Sequence, residues 1–510
     1  MNTQSRWPMP LFPAAAALAL AGALGGCNVG PDYAAPDRPV PGSFAEVGEG
    51  GVRAAPADEA ALQQWWRTFG DPTLDSLVDR AVRANLDLRI AEARLREARA
   101  LRAVAASQLL PEVDAIGAYD RQRNSESLSR NGVPGATTNF FQLGFDASWE
   151  IDVWGRVRRS VEAADADLGA AVEETRDVLV TVLAEVARNY VELRAFQRRL
   201  ELNNQNIGLQ RDSLALARSR FEAGITSELD VQQAEAQLAS TTAQGPALDS
   251  LARQSAHRIG VLLGQDPGSL LGELGQQAPI PLTVNGAPVD LPVGMPSDLL
   301  RRRPDIRRAE RQLAGATARI GVATADLFPR FALTGGFGLE SVSADSFLNG
   351  GSRYWTIGPS MRWPILDWGR IRGNIGIAEA RTEVALATWE RSVLVAMEDA
   401  ENALIAYIRE QTRHTSLARA VEANQRSLDL SKELYTKGLA TFLNVLDAQR
   451  SLLVSQDLLA QSDQIVASSL VAIYKALGGG WVDPALAAAS ETPPRAEPEG
   501  TLAPEGASAG

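Results

Sequence analysis

Strict alternation of apolar and polar residues marks two stretches of this chain. In FQLGFDASWEID, apolar side chains hold every second position from Phe141 to Ile151, and polar residues or glycine hold the positions between. A second stretch, Trp355–Ile365, alternates in the same way, and the segments Val113–Tyr119 and Phe331–Leu339 supply a hairpin partner to each. Alternation over about ten residues, with aromatic residues near the ends, is typical of a transmembrane β-strand. The alternative is a half-buried sheet in a soluble domain; the long helices and the N-terminus favour the membrane strand.

A helical period replaces the alternation after each predicted hairpin. Apolar residues such as Val182, Val186 and Tyr190 recur three or four positions apart. No proline interrupts the stretches Arg156–Phe221 and Arg370–Tyr435. About 65 helical residues would extend for about 100 Å, either as one helix or as two helices end to end. Such length indicates coiled-coil packing rather than a compact globule.

These patterns occur twice because the whole chain is a duplication. A shift of 214 positions brings WGRVRR at Trp154 onto WGRIRG at Trp368, and FEAGITSELDVQ at Phe221 onto YTKGLATFLNVL at Tyr435. Further upstream the shift is 218, and LDLRIAEARL falls on PDIRRAERQL. The period is far too long for a solenoid. The sequence therefore predicts two structural repeats, each with a helix, a β-hairpin and a long helical hairpin.

The repeats and their flanking segments predict a division of the chain into six parts. The parts are a signal peptide (1–26), an N-terminal linker and equatorial segment (27–72), repeat 1 (73–264, β-hairpin about 112–152, tip about 224–230), an equatorial linker (265–296), repeat 2 (297–478, β-hairpin about 329–366, tip about 438–444), and an equatorial end with a disordered tail (479–510).

The N-terminus carries an export signal. A short basic start precedes an apolar run that is too short to span a bilayer comfortably, as in a secretory signal peptide. The run ends in LGGC, which resembles the bacterial lipoprotein box and predicts acylation, such as by palmitate, of Cys27, the one cysteine of the chain. Asn28 rather than Asp follows it, which by the same resemblance favours the outer membrane. The alternative is a buried free cysteine after an ordinary signal peptide.

Composition excludes several classes of function. The net charge of −12 argues against a nucleic-acid partner, because phosphate binding requires a basic face. A single cysteine allows no disulfide framework, and no GxxxxGK[ST] loop is present. The two repeats share no cluster of acid, base and nucleophile. We therefore predict a protein that is not an enzyme, with no catalytic residue, no metal site and no cofactor apart from the lipid on Cys27.

Four predicted strands cannot form a closed barrel, since closed membrane barrels have roughly eight or more. An open sheet edge in lipid would leave backbone N–H and C=O groups without partners, at several kcal/mol each. The chain must then oligomerise if the strands span the membrane. The strand number allows a dimer, a trimer or a tetramer.

Several motifs together resemble one family, the outer-membrane efflux factors, in the lipoprotein branch that includes OprM and NodT. They are WWRTFGDPTLDSLVDRA, WEIDVWGR, RRRPDIRRAERQLAGATARIGVATADLFPRFALTGGFG and LYTKGLATFLNVLDAQRSLL. The resemblance implies a mostly α, TolC-like homotrimer with a twelve-stranded membrane β-barrel and a long periplasmic α-helical barrel. It also implies an outer-membrane location with a lipid anchor, a periplasmic adaptor and an inner-membrane transporter of the RND type. The function implied is the passive exit channel of a tripartite pump for small molecules such as drugs.

The resemblance also assigns roles to residues at the two tips. Gly224 and Gly438 would lie in turns that contact the adaptor, as glycine tolerates the left-handed backbone that ends a helix. The implied periplasmic gate comprises Leu443, Asp447, Arg450, Tyr435 and Asp230. Three symmetry-related leucines can dewet a pore, and three aspartates attract cations. Asn444 stands where an acid is often found, which puts a double aspartate ring in doubt. The alternative function is a lipid-anchored periplasmic scaffold that binds partners without conducting, and the exported substrate stays open.

Overall fold

The computed structural model describes residues 28–45, 48, 52–53, 55, 62–127, 135–281 and 291–481. The predicted signal peptide 1–26, the lipidation site Cys27 and the tail beyond 481 lie outside the described residues. The helices are α1 (Pro72–Ala84), α2 (Leu86–Ser107), α3 (Arg156–Glu222), α4 (Glu228–Leu262), α5 (Leu271–Leu274), α6 (Pro296–Arg302), α7 (Pro304–Ala325), α8 (Ala344–Phe347), α9 (Arg370–Thr436) and α10 (Phe442–Ala476). The strands are β1 (Val52–Arg53), β2 (Glu112–Arg123), β3 (Thr137–Ile151), β4 (Leu291–Pro292), β5 (Arg330–Ser341) and β6 (Arg353–Arg362).

The chain divides into two compact units. The first contains Arg83–Val178, Met295–Asn402 and the described part of the first 47 residues. The second contains Leu179–Gly294, Gly48–Val82 and the described residues from Ala403 onward. Parts of both long helices, α3 and α9, belong to each unit. The sheet β2-β3-β5-β6 belongs to the first unit, and the ends of the long helical hairpins belong to the second.

The sheet of the first unit is antiparallel throughout, in the order β2-β3-β5-β6. Glu112 of β2 pairs with Ser148 of β3. The two repeat shifts carry this pair onto Arg330 and Arg362, which are paired in β5 and β6. The duplication is thus accurate to the residue in the sheet. The strands β2 and β6 are the outer strands, each with one edge free of a partner strand within the described residues.

Each repeat begins with two helices where the sequence suggested one helical stretch. In repeat 1, Asn85 interrupts the helix and caps α2, accepting hydrogen bonds from the N–H groups of Asp87 and Leu88. In repeat 2, Arg303 has an extended backbone, and Pro304 is the first residue of α7. Proline suits the first helical turn because its missing N–H would have no helical partner there. Pro304 is therefore a sequence signal for the break between α6 and α7, which the predicted single helix did not include.

The two longest helices are each continuous for 67 residues. Of the two arrangements that the sequence allowed, the structure thus has the single helix. The apolar stripe of α3 that includes Val182, Val186 and Tyr190 is buried. Tyr190 also donates a hydrogen bond from its hydroxyl to Asp71 Oδ2 at 2.6 Å. Burial and this acid raise the pKa of Tyr190 to about 12.

The segment that begins at Asn28 is bound to the first unit by a buried arginine. Arg159 of α3 is 2% exposed. Its Nη2 donates to Asp32 Oδ1 at 2.6 Å, and its Nε donates to the carbonyl of Val29 at 3.3 Å. The Val29 N–H in turn donates to the Trp154 carbonyl at 3.2 Å. The chain is therefore held in place two residues after the predicted lipidation site.

Candidate functional site

The two helical hairpins of the second unit end in turns with the same backbone. Gly224 has φ of +73° and Gly438 has φ of +76°. In the first turn the Ile225 N–H donates to the Arg220 carbonyl at 2.9 Å, and in the second Leu439 donates to Leu434 at 2.9 Å. This six-to-one bond with a left-handed glycine before it is the Schellman motif. Both glycines lie where the backbone requires the conformational freedom that the sequence predicted.

Side chains from all four helices, α3, α4, α9 and α10, form one apolar core beside these turns. Its aromatic residues come from the second repeat. Tyr435 and Phe442 are 2% and 1% exposed, and their ring centroids lie 5.5 Å apart. The Arg220 guanidinium covers the Tyr435 ring at 4.7 Å, and its Nη1 donates to the Thr436 carbonyl at 3.1 Å. Tyr435 therefore joins the two hairpins from within the core.

Three buried polar atoms at this core lack a hydrogen bond within the described residues. They are Arg220 Nε, Thr226 Oγ1 and the Tyr435 hydroxyl. Burial, followed by the negative charge of Asp230, raises the pKa of Tyr435. Buried polar atoms without a partner cost about 1–3 kcal/mol each. The tip therefore contains polar groups that a different arrangement of the helices could satisfy better.

The caps of the two returning helices differ. At the start of α10, Asn444 Oδ1 accepts the Thr441 backbone N–H at 3.2 Å and the Thr441 hydroxyl at 2.8 Å. Asn444, which replaces the acid that the resemblance led us to expect, thus completes the helix cap. At the start of α4, the equivalent Ser227 makes no side-chain cap bond. Asp230, the counterpart of Asn444, is half-buried near Tyr435.

The remaining predicted gate residues, Leu443, Asp447 and Arg450, lie on the exposed side of α10. Leu443 is 58% exposed, although it is adjacent to the buried Phe442. Arg450 Nε donates to Gln237 Oε1 of α4 at 2.7 Å. Arg450 is thus bound to α4 of the first repeat rather than to Asp447 on its own helix.

Sequence reasoning missed Arg220, Thr226 and Gln237. The signal that could have found them is the difference between the repeats. Arg220 stands opposite Leu434, Thr226 opposite Ala440, and Gln237 opposite Ser451 under the 214-residue shift. Arg220 and Thr226 thus stand opposite apolar residues, and Gln237 stands opposite the shorter serine.

The sheet of the first unit carries its large exposed apolar residues on one face. The large exposed apolar residues all have odd numbers, and the pairing of the strands places odd-numbered residues on one face. They are Val113, Tyr119, Leu143, Phe145, Trp149, Phe337, Trp355, Ile357 and Met361. The other face carries glycine and polar residues such as Gln142, whose Nε2 donates to Glu340 Oε1 at 3.3 Å. A sheet with an uncovered apolar face suits contact with lipid, because a contiguous patch of this kind is unfavourable in water.

Within the described ranges, none of the helices combines the length and the apolar character needed to cross a membrane. The same ranges contain no group of three or more His, Cys, Asp and Glu residues that could hold a metal ion. His414 pairs instead with a single acid, its Nε2 lying 2.7 Å from Asp463 Oδ1. Burial raises the pKa of that Asp463 carboxyl.

Comparison with known proteins gives consistent matches over most of the chain. The family model described as "Outer membrane efflux protein" matches residues 77–265 and 295–479. Nodulation protein T of Rhizobium leguminosarum bv. trifolii is 36% identical over 458 residues, 90% of this chain and 95% of that protein. The solvent efflux pump outer membrane protein SrpC of Pseudomonas putida is 34% identical over 464 residues, 90% and 96% of the two chains. The solved structure of the outer-membrane channel OprN is similar with a TM-score of 0.83 at 37% identity, and the match covers 89% of this chain and 100% of that one.

Proposed function

The chain belongs to the outer membrane efflux protein family, and from this premise we propose that it is the gated exit channel of a tripartite efflux pump. The resemblance seen in the sequence is confirmed by the family model and by these relatives. The chain is an outer-membrane protein with the fold of the TolC-like channels, in a family of channel proteins rather than enzymes. The gate, the oligomer, the partners and the cargo are the proposal.

The apolar face of the four-stranded sheet is the observation that carries a membrane channel. Within the described residues, its outer strands β2 and β6 each have an edge without a partner strand, which lipid does not tolerate. Three copies would supply the twelve strands of a closed barrel and leave no free edge. The polar face of each sheet would then line a water-filled interior.

The gate would lie at the tips of the helical hairpins. In a trimer, the exposed Leu443 and Asp447 of the three copies would surround one axis, four residues apart on the same side of α10. Leucines at a narrow point exclude water, and aspartates there repel anions. Opening would separate Arg450 from Gln237 and rearrange the buried polar atoms around Tyr435 and Asp230.

The partners would be those of a tripartite system. A periplasmic adaptor would contact the turns at Gly224 and Gly438, which are exposed. An inner-membrane transporter of the RND type would supply the energy, and an acyl chain on Cys27 would add a membrane anchor, at about 0.8 kcal/mol per buried CH₂. The cargo would be small molecules such as drugs, and the transporter rather than this chain would select among them.

Conductance in planar bilayers tests the proposal. The triple variant Leu443→Ser/Asp447→Ala/Arg450→Ser should turn small, cation-preferring currents into large ones. The matched control is Leu229→Ser/Gln233→Ala/Ala236→Ser, which changes the equivalent positions of repeat 1. We expect the control to conduct like the unmodified protein.

Equal currents from both triple variants would exclude a gate at the second tip. No current from any of the three proteins, when all are folded and inserted, would exclude the channel and favour an anchored scaffold. The reversal potential of the same channels under a salt gradient checks the role of Asp447, since its loss should weaken the preference for cations.

A further inference from the structure

Within one chain, a tryptophan joins the two repeats. Trp154 Nε1 donates to the carbonyl of Pro329 at 3.0 Å, and its ring stacks on Phe328 with centroids 4.7 Å apart. Under the repeat shifts, Trp154 corresponds to Trp368, and Phe328 with Pro329 corresponds to Leu110 with Pro111. Trp368 is 89% exposed and Leu110 is 68% exposed. The residues for a second copy of this contact are therefore present in the sequence, but the contact does not form within the chain.

The helices next to this contact show the same asymmetry. Inside the chain, α7 of repeat 2 packs on α3 of repeat 1. Arg308 pairs with Asp177 at 3.2 Å, and Arg319 pairs with Asp167. A Cβ atom on Gly315 would lie 3.1 Å from Asp167 Oδ1.

The equivalent helices, α2 of repeat 1 and α9 of repeat 2, leave the equivalent faces uncovered. On α2 the residues that correspond to the contacting face of α7 are Ile90, Ala93, Glu97 and Leu101, and all four are exposed. On α9 the counterparts of Ala163, Asp167, Gly169 and Asp177 are Ile377, Arg381, Glu383 and Arg391, and these are also exposed. Large apolar side chains such as Ile90, Leu101 and Ile377 are each more than half exposed.

The two uncovered faces cannot satisfy each other in one chain, because both are exposed in it. A contact between two different faces of identical chains is heterologous and continues from copy to copy until a ring closes. The sheet shows the same asymmetry. Among the described residues, β2 of repeat 1 and β6 of repeat 2 each have one edge without a partner strand. Helix, tryptophan and strand therefore all require a second copy on the same side.

We propose that Trp368 of one copy seats against Leu110 and Pro111 of a second copy, and that α9 of the first packs on α2 of the second. This inference rests on the oligomer of the proposed function and names the surface that forms it. Trp368 Nε1 donates to the Pro111 carbonyl, as Trp154 does to Pro329. Among the described residues, Trp368 is also the one non-glycine residue with positive φ, at 56°. Docking allows this bulky residue to leave a backbone conformation that L side chains rarely adopt.

The positive and negative side chains exchange places between the two interfaces. Inside the chain, arginines of α7 meet acids of α3; between copies, Glu97 of α2 meets Arg381 of α9. If α7 took the place of α2, its arginines would face Arg381 and Arg391. Like charges placed opposite each other disfavour that wrong pairing, and the exposed apolar residues of α2 favour the correct one.

The in-chain template provides the first test. A Cβ atom on Gly169 would lie 3.9 Å from the Cβ of Arg311, which is within the range of a disulfide. The equivalent pair between copies is Ala93 and Glu383. In full-length protein oxidised in its membrane, Ala93→Cys/Glu383→Cys should give a covalent ladder on non-reducing gels. The control Gly169→Cys/Arg311→Cys should cross-link within the chain and remain a monomer on the same gel.

Two single variants, Ala93→Cys and Glu383→Cys, should give a covalent dimer when expressed together and much less when expressed alone. A ladder that is absent while the unmodified protein still forms an oligomer overturns this inference and leaves the channel standing. If the unmodified protein forms no oligomer in the membrane, both proposals fail.

The tryptophan provides the second test. Trp368→Ala should shorten the lifetime of the detergent-solubilised oligomer by roughly thirtyfold, as expected for a central aromatic anchor. The helical content of the chain should stay unchanged, because Trp368 has no packing role inside it. Trp154→Ala, the matched variant, should instead weaken the fold of the chain. An oligomer of unchanged lifetime in Trp368→Ala would refute the anchor.

Discussion

The two helical tips have the same backbone and different side chains. Both turn through a Schellman motif with glycine at φ near +75°. Phe221 of the first tip is 42% exposed, whereas its counterpart Tyr435 is 2% exposed. At the start of the following helix, the first tip has Glu228 and the second has the buried Phe442. The duplication preserved the turn, and the apolar anchor is found in the second copy alone.

This difference shows how a duplicated element can divide its tasks. The second tip supplies the aromatic core, the capped helix and the exposed face with Leu443 and Asp447. The first tip supplies the polar groups around that core, namely Arg220, Thr226 and Asp230. We therefore expect substitutions at equivalent positions to have unequal effects wherever the side chain matters and equal effects wherever only the backbone matters.

The largest difference should come from the aromatic core. Phe442→Ala removes a buried ring and leaves a cavity, at a cost of about 3–4 kcal/mol in local stability. Glu228→Ala, at the equivalent exposed position, should change stability by about 0.5 kcal/mol or less. Hydrogen exchange of tip peptides measures both, and exchange in Phe442→Ala should be faster by roughly two hundred- to a thousandfold. Equal protection in the two variants would contradict the anchor role of the second tip.

The turns should respond alike. Gly224→Ala and Gly438→Ala each place a Cβ in a left-handed conformation, at a cost of about 1–2 kcal/mol. Both glycines are exposed, and a Cβ on either one would meet nothing within 4 Å. The penalty is therefore one of backbone conformation alone. Exchange rates at the two turns that rose by very different factors would show that the turns are not equivalent.

The caps should differ by less. Thr441→Ala removes the hydroxyl that donates to Asn444 and should cost about 1 kcal/mol. Ser227→Ala removes a side chain without a cap bond, so its cost should be a few tenths of a kcal/mol. Exchange of the first amides of α10 and α4 provides the measurement. A larger loss at Ser227 would reverse the comparison.

The smallest effect should come from the Tyr435 hydroxyl. It is buried without a hydrogen bond of good geometry, so Tyr435→Phe should change the stability of the tip by less than about 1 kcal/mol in either direction. Because the pKa of Tyr435 is raised in the fold, the neutral phenol is favoured there. Its contribution is present below the unfolded value of about 10 and is lost as the pH rises through the folded value.

Tyr435→Phe should therefore abolish the loss of tip protection above about pH 10, while Phe221→Tyr, at the exposed counterpart, should not change it. Hydrogen exchange corrected for the intrinsic pH dependence makes the comparison. A pH response that persists in Tyr435→Phe would assign the titration to another group.

The sequence predicted the regular elements better than the site. Period-2 alternation located all four strands of the sheet, and the absence of proline located the two 67-residue helices. These features depend on local periodicity. The break at Arg303 was also local, since Pro304 marked it, and the prediction passed over it.

The contacts at the tip depend on convergence of separate helices, which no local pattern describes. The polar atoms around Tyr435 come from residues more than 200 positions away in the chain. Arg450 could not be assigned to Gln237 from sequence, because an exposed arginine has many possible partners. Comparison of one repeat with the other would have pointed to both, since the first repeat has Arg220, Thr226 and Gln237 where the second has Leu434, Ala440 and Ser451.

The two unlike open edges of the sheet have a genetic consequence. In the proposed trimer, a chain with a damaged β6 edge and an intact β2 edge would bind one neighbour and would prevent closure of the ring. If such a chain and the normal one were made in equal amounts and combined at random, about one trimer in eight would contain only normal chains. A lesion on one edge would therefore be dominant over the wild-type allele, whereas a chain that lost both edges would be recessive.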